Sequence, residues 1–249
     1  MPRRLESASP RAGVSQTEAG RRTPSSSSPA AVKRRSAPAA AAGEEAAPGR
    51  VEKTAKPLSP AEQAERHYRE ALTWMQQGHP AKTEEALRAA LASDPGHVGA
   101  REWLAGLLLQ RGHSQEALAL LEEGLALANP TSPRLALLAA RLYVEQGADD
   151  RALTLMEKAR AAVERDAAFL SFLATLYQRA GRHAEAVQTY TEAVGLDPSE
   201  GRSWLGLGIS LEALRKNQEA VRAYERALLD TRLDIRLRRY AQERLGKLK

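Results

Sequence analysis

Four glycines, Gly78, Gly112, Gly147 and Gly181, recur at spacings of 34, 35 and 34 residues. The segments around them recur too. Tyr177-Gln-Arg-Ala-Gly-Arg-His-Ala-Glu-Ala-Val is followed 34 residues later by Leu211-Glu-Ala-Leu-Arg-Lys-Asn-Gln-Glu-Ala-Val. Tyr190 returns as Tyr224 and Ala193 as Ala227. A fixed period in this range means a stacked array of one supersecondary unit, each copy burying its neighbour's apolar face.

The units phase as 64–97, 98–132, 133–166, 167–200 and 201–234, the second carrying one extra residue near Asn129-Pro130. Small residues fall in register. The eighth slot holds Ala71, Ala105, Ala140, Ala174 and Gly208; the twentieth holds Thr83, Ala117, Ala152, Ala186 and Ala220. The twenty-seventh holds Ala90, Gly124, Ala159, Ala193 and Ala227. Side chains this small let two helices approach closely, with Leu and Tyr filling the gaps between. Glycine in the fifteenth slot can take positive φ and end the first helix of a unit. Asp94-Pro95 and Asp197-Pro198 close units, because proline cannot continue a helix. Order is expected from Ser59-Pro60-Ala61-Glu62, a capping box with proline in the first helical position. After 234, Ile235, Leu237, Tyr240, Ala241, Leu245 and Leu248 can share one apolar face, with Arg and Lys on the other, which reads as a solvating cap helix over 235–248. The expectation is an all-α fold of eleven helices, two per unit and one cap.

These slots resemble the tetratricopeptide repeat. The last unit carries the pattern best, with Trp204, Leu207, Gly208, Ala220, Tyr224 and Ala227 in place. The resemblance covers about 64–234 and implies an α-solenoid of about five helix-turn-helix repeats. Some positions depart from it. Glu164 and Arg232 stand where a unit-ending proline belongs, Arg101 and Ala136 replace the fourth-slot aromatic, and Arg215 replaces the last glycine. These are expected to weaken individual turns without breaking the array.

The first 57 residues are different in kind. They hold 11 Lys/Arg and 5 Glu, whereas 58–249 hold 26 charges of each sign, so the whole net charge of +6 belongs to this segment. No aromatic residue precedes Tyr68, and Thr23-Pro24-Ser25-Ser26-Ser27-Ser28-Pro29 is low-complexity. A disordered basic Pro/Ala/Ser-rich linker over 1–57 is expected, dispensable for folding of the 58–249 domain. Such a tail binds polyanions weakly, and without interleaved aromatic residues it points to no specific nucleic acid. No run reaches the 18–20 apolar residues that span a bilayer, and no apolar stretch follows Met-Pro-Arg-Arg-Leu-Glu-Ser. The chain as written is expected to be soluble, without a transmembrane segment.

Catalysis finds no footing. The chain has no Cys, no glycine-rich phosphate loop, no Gly-x-Ser-x-Gly and no His-Glu-x-x-His. His79, His113 and His183 follow the inter-helix glycines in equivalent turns, too far apart to share a metal. No catalytic residue, metal, cofactor or small-molecule substrate is expected. The informative face lies elsewhere. Each helical residue advances 100°, so slots two, six, nine and thirteen of the first helices point away from the repeat interior. In tetratricopeptide folds that face lines the concave groove where peptides bind. Its sixth slot holds Arg69, Trp103, Leu138, Phe172 and Gly206. Arg134, Arg141, Arg179 and Arg202 share the face with Leu72 and Ile209. An apolar stripe rimmed with arginine suits a protein or peptide segment. The competing reading is that these residues pack against the next repeat after a small helix rotation. The charged clamp that some relatives use for a peptide C-terminus needs Lys and Asn at groove slots where this chain has neither.

At a finer level, 58–249 resembles the C-terminal repeat region of MshN-type biogenesis proteins of the mannose-sensitive haemagglutinin, a type IV pilus. The phrases are Ala64-Glu-Arg-His-Tyr-Arg-Glu-Ala-Leu, Tyr177-Gln-Arg-Ala-Gly-Arg-His-Ala-Glu-Ala and Arg202-Ser-Trp-Leu-Gly-Leu-Gly-Ile-Ser-Leu-Glu-Ala-Leu. That resemblance implies an upstream transmembrane helix, a periplasmic location and a pilus-assembly component as partner. The alternative is a soluble cytoplasmic adaptor or co-chaperone. Either way the expected function is a non-enzymatic scaffold.

Overall fold

A computed structural model describes residues 57–128 and 131–249. All but residue 57 of the expected linker lies outside them. Among the described residues there are eleven helices and no strand. They run α1 (Pro60–Gln76), α2 (Pro80–Ser93), α3 (Val98–Gln110), α4 (Ser114–Leu127), α5 (Pro133–Glu145), α6 (Asp149–Arg160), α7 (Ala167–Arg179), α8 (His183–Leu196), α9 (Gly201–Ala213), α10 (Asn217–Leu228) and α11 (Ile235–Leu248). Successive helices pack as five hairpins, α1 on α2 through α9 on α10, and α11 covers α10.

Local chemistry sets the ends. The Ser59 hydroxyl accepts from the Glu62 N–H, while the Glu62 carboxylate accepts from the Ser59 N–H at 2.7 Å, closing the capping box ahead of α1. Each first helix ends alike. The slot-sixteen N–H returns to the slot-eleven carbonyl: His79 to Trp74, His113 to Leu108, Ala148 to Tyr143, Arg182 to Tyr177 and Lys216 to Leu211. This closure needs a left-handed residue between. Four glycines supply it, with Gly78 at φ 73° and Gly112 at φ 80°. In the fifth repeat Arg215 adopts φ 59° instead. A side chain there costs roughly 1 kcal/mol. Arg215→Gly is therefore expected to raise stability by about 0.5–1 kcal/mol, read as a higher urea midpoint at unchanged slope. The turn histidines separate slightly: His79 and His113 precede α2 and α4, whereas His183 is the first residue of α8.

All fifteen small-residue positions are buried, from Ala71 and Thr83 in the first repeat to Ala220 and Ala227 in the last. The fourth-slot departure at Arg101 turns out to be structural. The residue is 3% exposed, and its guanidinium donates to the carbonyls of Leu120 (2.6 Å) and Pro95 (2.7 Å) and to Glu123 (3.3 Å). Gly124 makes the room: a Cβ there would stand 2.1 Å from Arg101 Cδ. Arg101 thus ties two helices and the preceding turn together rather than weakening a turn.

The cap differs in detail from its helical-face reading. Leu237, Ala241, Leu245 and Leu248 face α10, but Ile235 and Tyr240 are exposed. Ile235 lies two residues, about 200°, from Leu237 and so on the far side. Two of the arginines face inward. Arg238 donates to the carbonyls of Leu228 and Asp230, at and just past the end of α10, and Arg244 binds Glu212 of α9. Cations at a helix C-terminus satisfy both its open carbonyls and its dipole.

Candidate functional site

The first helices α3, α5, α7 and α9 lie side by side in contact. The edge between α7 and α9 is polar. Gln178 donates to the Gly206 carbonyl (3.0 Å) and to the Ser210 hydroxyl (2.8 Å), and Ser171 meets Ser203. The edge between α1 and α3 is different. At its start Glu65 faces His97 (3.3 Å) and the Tyr68 ring lies 4.9 Å from the His97 ring. Arg69 and then His97 hold the Glu65 carboxyl below its usual range by hydrogen bonding. Toward the turns the same edge opens into a cavity of about 610 Å³.

Leu72, Met75, Leu107 and Trp103 wall this cavity, with His79 and Thr83 at its polar edge. Two missing side chains leave it open, since a Cβ at Gly78 or Gly106 would meet nothing within 4 Å. Trp103 is 42% exposed, a high value for the largest apolar side chain. A smaller pocket of about 240 Å³ lies further along the same face, where Arg141, Phe172 and Arg202 meet the hydroxyls of Ser171, Thr175 and Ser203. Glu200 lies on its wall, its carboxylate accepting from Ser171 (2.9 Å) and Ser203 (2.5 Å). Tyr190 closes the floor, bonded to Thr175 at 2.9 Å. Burial pushes its phenol above the usual value, against the Thr175 bond.

The ten residues singled out by sequence therefore divide. Leu72 and Trp103 share the large cavity, and Arg141, Phe172 and Arg202 share the small pocket. Leu138 is half-buried between them, packed with Phe172 against the core of the first four repeats. Ile209 packs against the core of the last two. Arg69, Arg134 and Arg179 are exposed and line neither space. Each is already paired: Arg69 with Glu65 (2.7 Å), Arg134 with Glu102 (2.5 Å) and Arg179 with Asp149 (2.6 Å). Packing and groove thus share the sixth slot. Met75 and Leu107 were not anticipated, although they flank the chosen slots at positions twelve and ten.

Comparison with known families matches this architecture. Two profiles, each described as tetratricopeptide repeat, match residues 75–128 and 114–176 in one case and 173–236 in the other. The chain belongs to the tetratricopeptide repeat family. Among curated tetratricopeptide relatives, cellulose synthase operon protein C of Xanthomonas axonopodis pv. citri (strain 306) is 36% identical over 116 residues. That stretch is 44% of this chain and only 8% of that protein. Among solved structures, YrrB, described as a TPR protein with an unusual peptide-binding site, superposes with TM-score 0.59 at 17% identity, covering 72% of this chain and 92% of its own. MamA gives 0.56 at 19% identity, covering 68% and 92%. MamA residues 41 to the end from Desulfovibrio magneticus RS-1 give 0.56 at 17%, covering 71% and 99%. At these identities the structures establish the shared tetratricopeptide solenoid and no more.

Among the described residues no three His, Asp or Glu side chains gather as a metal site, and no helix is long and apolar enough to cross a membrane. The face of the first helices combines apolar walls, exposed guanidinium groups and hydroxyls.

Proposed function

We propose that this tetratricopeptide protein is a non-enzymatic scaffold that holds a partner segment along the face of its first helices, with Trp103 as the central contact. The observation that carries this reading is the open cavity of about 610 Å³ walled by Trp103, Leu72, Met75 and Leu107. Exposed apolar surface of this kind is retained where a partner covers it. The peptide-binding description of YrrB supports the same use of the fold. Trp103→Ala is expected to keep the melting temperature within a few degrees, because the side chain is already part-solvated. Truncating a hot-spot tryptophan costs at least ~2 kcal/mol of binding, about thirtyfold in Kd. The immobilised chain should therefore capture a partner from its native extract that Trp103→Ala loses. Equal capture by both would overturn the assignment. Two finer readings follow from the sequence. The MshN-type phrases favour a pilus-assembly component as partner, and the balanced charge of 58–249 suits a soluble adaptor equally. Mass spectrometry of the captured protein distinguishes them.

A further inference from the structure

Five arginines rim the groove face, and three are neutralised by the carboxylates of Glu65, Glu102 and Asp149. Arg141 and Arg202 are different. Both are exposed, both line the small pocket, and neither has a carboxylate within 4.0 Å among the described residues. The one acid on that wall, Glu200, is engaged by two serine hydroxyls. Arg141 is held over the Phe172 ring, 5.8 Å from its centroid. A guanidinium stacked on an aromatic face keeps its hydrogen-bonding edge free for a carboxylate.

We infer that the bound segment is acidic: an Asp or Glu side chain seats between Arg141 and Arg202 while a large apolar side chain of the same segment fills the cavity beside Trp103. This rests on the groove reading above. Charge selects the occupant. The chain's own residues 1–57 carry a net charge of +6 and would be repelled, and a second copy would present the same arginines. The aliphatic walls of Leu72, Met75 and Leu107 suit a side chain rather than a stacked base. Neighbouring first helices lie about 8–10 Å apart. The small pocket is centred on α7, between Arg141 of α5 and Arg202 of α9, so it lies two steps from α3, about 16–20 Å. An extended segment rises about 3.3 Å per residue, so the acid stands roughly five to six residues from the apolar anchor.

The test is selection of random 12-mer peptides displayed on phage against the full chain and against the double variant Arg141→Glu with Arg202→Glu. The wild-type chain should enrich peptides with an Asp or Glu at constant spacing from an aromatic or Leu. A selected peptide should bind the double variant at least tenfold more weakly, with the melting temperature unchanged. Enriched peptides with an apolar anchor but no acid would overturn this inference and leave the groove standing. No enrichment at all would overturn both. Single-stranded oligothymidylate that competes for Arg141 and Arg202 when no acidic peptide is selected would assign the pocket to phosphate and overturn the inference.

Discussion

Tyr224→Ala is expected to destabilise the protein by about 3–5 kcal/mol, the range for deleting a large buried aromatic. Tyr224 is fully buried, and it is seated by an absence: a Cβ at Gly208 would stand 2.8 Å from its ring. Its hydroxyl donates to Glu212 at 2.8 Å, and Glu212 is also bound by Arg244 of the cap. Burial above all, with Tyr240 second, holds the phenol well above its ordinary range, so it stays neutral and donates across the working pH. Tyr224→Phe keeps the ring and should cost only about 1 kcal/mol. Because a solenoid is stabilised repeat by repeat, the loss should be local. Amide exchange should accelerate first in α9, α10 and α11. A loss below 1 kcal/mol for the alanine variant, or acceleration spread evenly over all repeats, would show that this side chain does not join the last repeat to the cap.

Gly124→Ala is expected to destabilise by about 1–3 kcal/mol, with the sign opposite to the usual one. In a helix interior the change ordinarily gains about 1 kcal/mol. Here the new methyl would meet Arg101 at Cδ and Nε and the Leu135 side chain, all within 3 Å. Arg101 cannot simply swing away, because its guanidinium is fixed by Leu120, Pro95 and Glu123. Denaturant midpoints of Gly124→Ala should fall in the wild-type background and rise in an Arg101→Ala background. A cycle with no coupling between the two sites would mean that the arginine repacks freely.

The sequence made the array legible because one slot pattern is read five times. Ala105, Ala140 and Ala174 identify one another, and the closing turn survives even where Arg215 replaces glycine. What it did not reveal depends on pairs that never repeat. Arg101 reads as a flaw until Gly124, in a different helix, is seen to clear its path. Trp103 and Phe172 occupy one slot, yet Trp103 stands at an open cavity while Phe172 packs into the core edge. The neighbours decide this: Gly106, three residues on, leaves space beside Trp103, whereas the equivalent residue beside Phe172 is Thr175, bonded to Tyr190 at 2.9 Å. In the cap, a helical projection assigns arginines to solvent, but carbonyls at and beyond the end of α10 draw Arg238 inward. Side-chain type therefore fixed which helices pair, and the partner across each gap fixed which side chains stayed exposed.

The two ends of the groove differ mechanically. Where Gln178 bolts α7 to Gly206 and Ser210 of α9, directional bonds fix both distance and angle, and sliding would break them. Repeat 1 meets repeat 2 as a cover meets a spine. Glu65, Tyr68 and His97 join α1 to α3 along one margin, and the opposite margin is empty. Behind the cavity α2 is tied to the second repeat by ion pairs, Arg88 to Glu116 at 2.8 Å and Arg111 to Glu84, while the cavity walls themselves offer only dispersion contacts. A guest would therefore meet aliphatic walls without directional bonds at one end of this face and fixed hydrogen-bonding geometry at the other, so the first end tolerates differences in girth and the second tolerates little change in distance or angle.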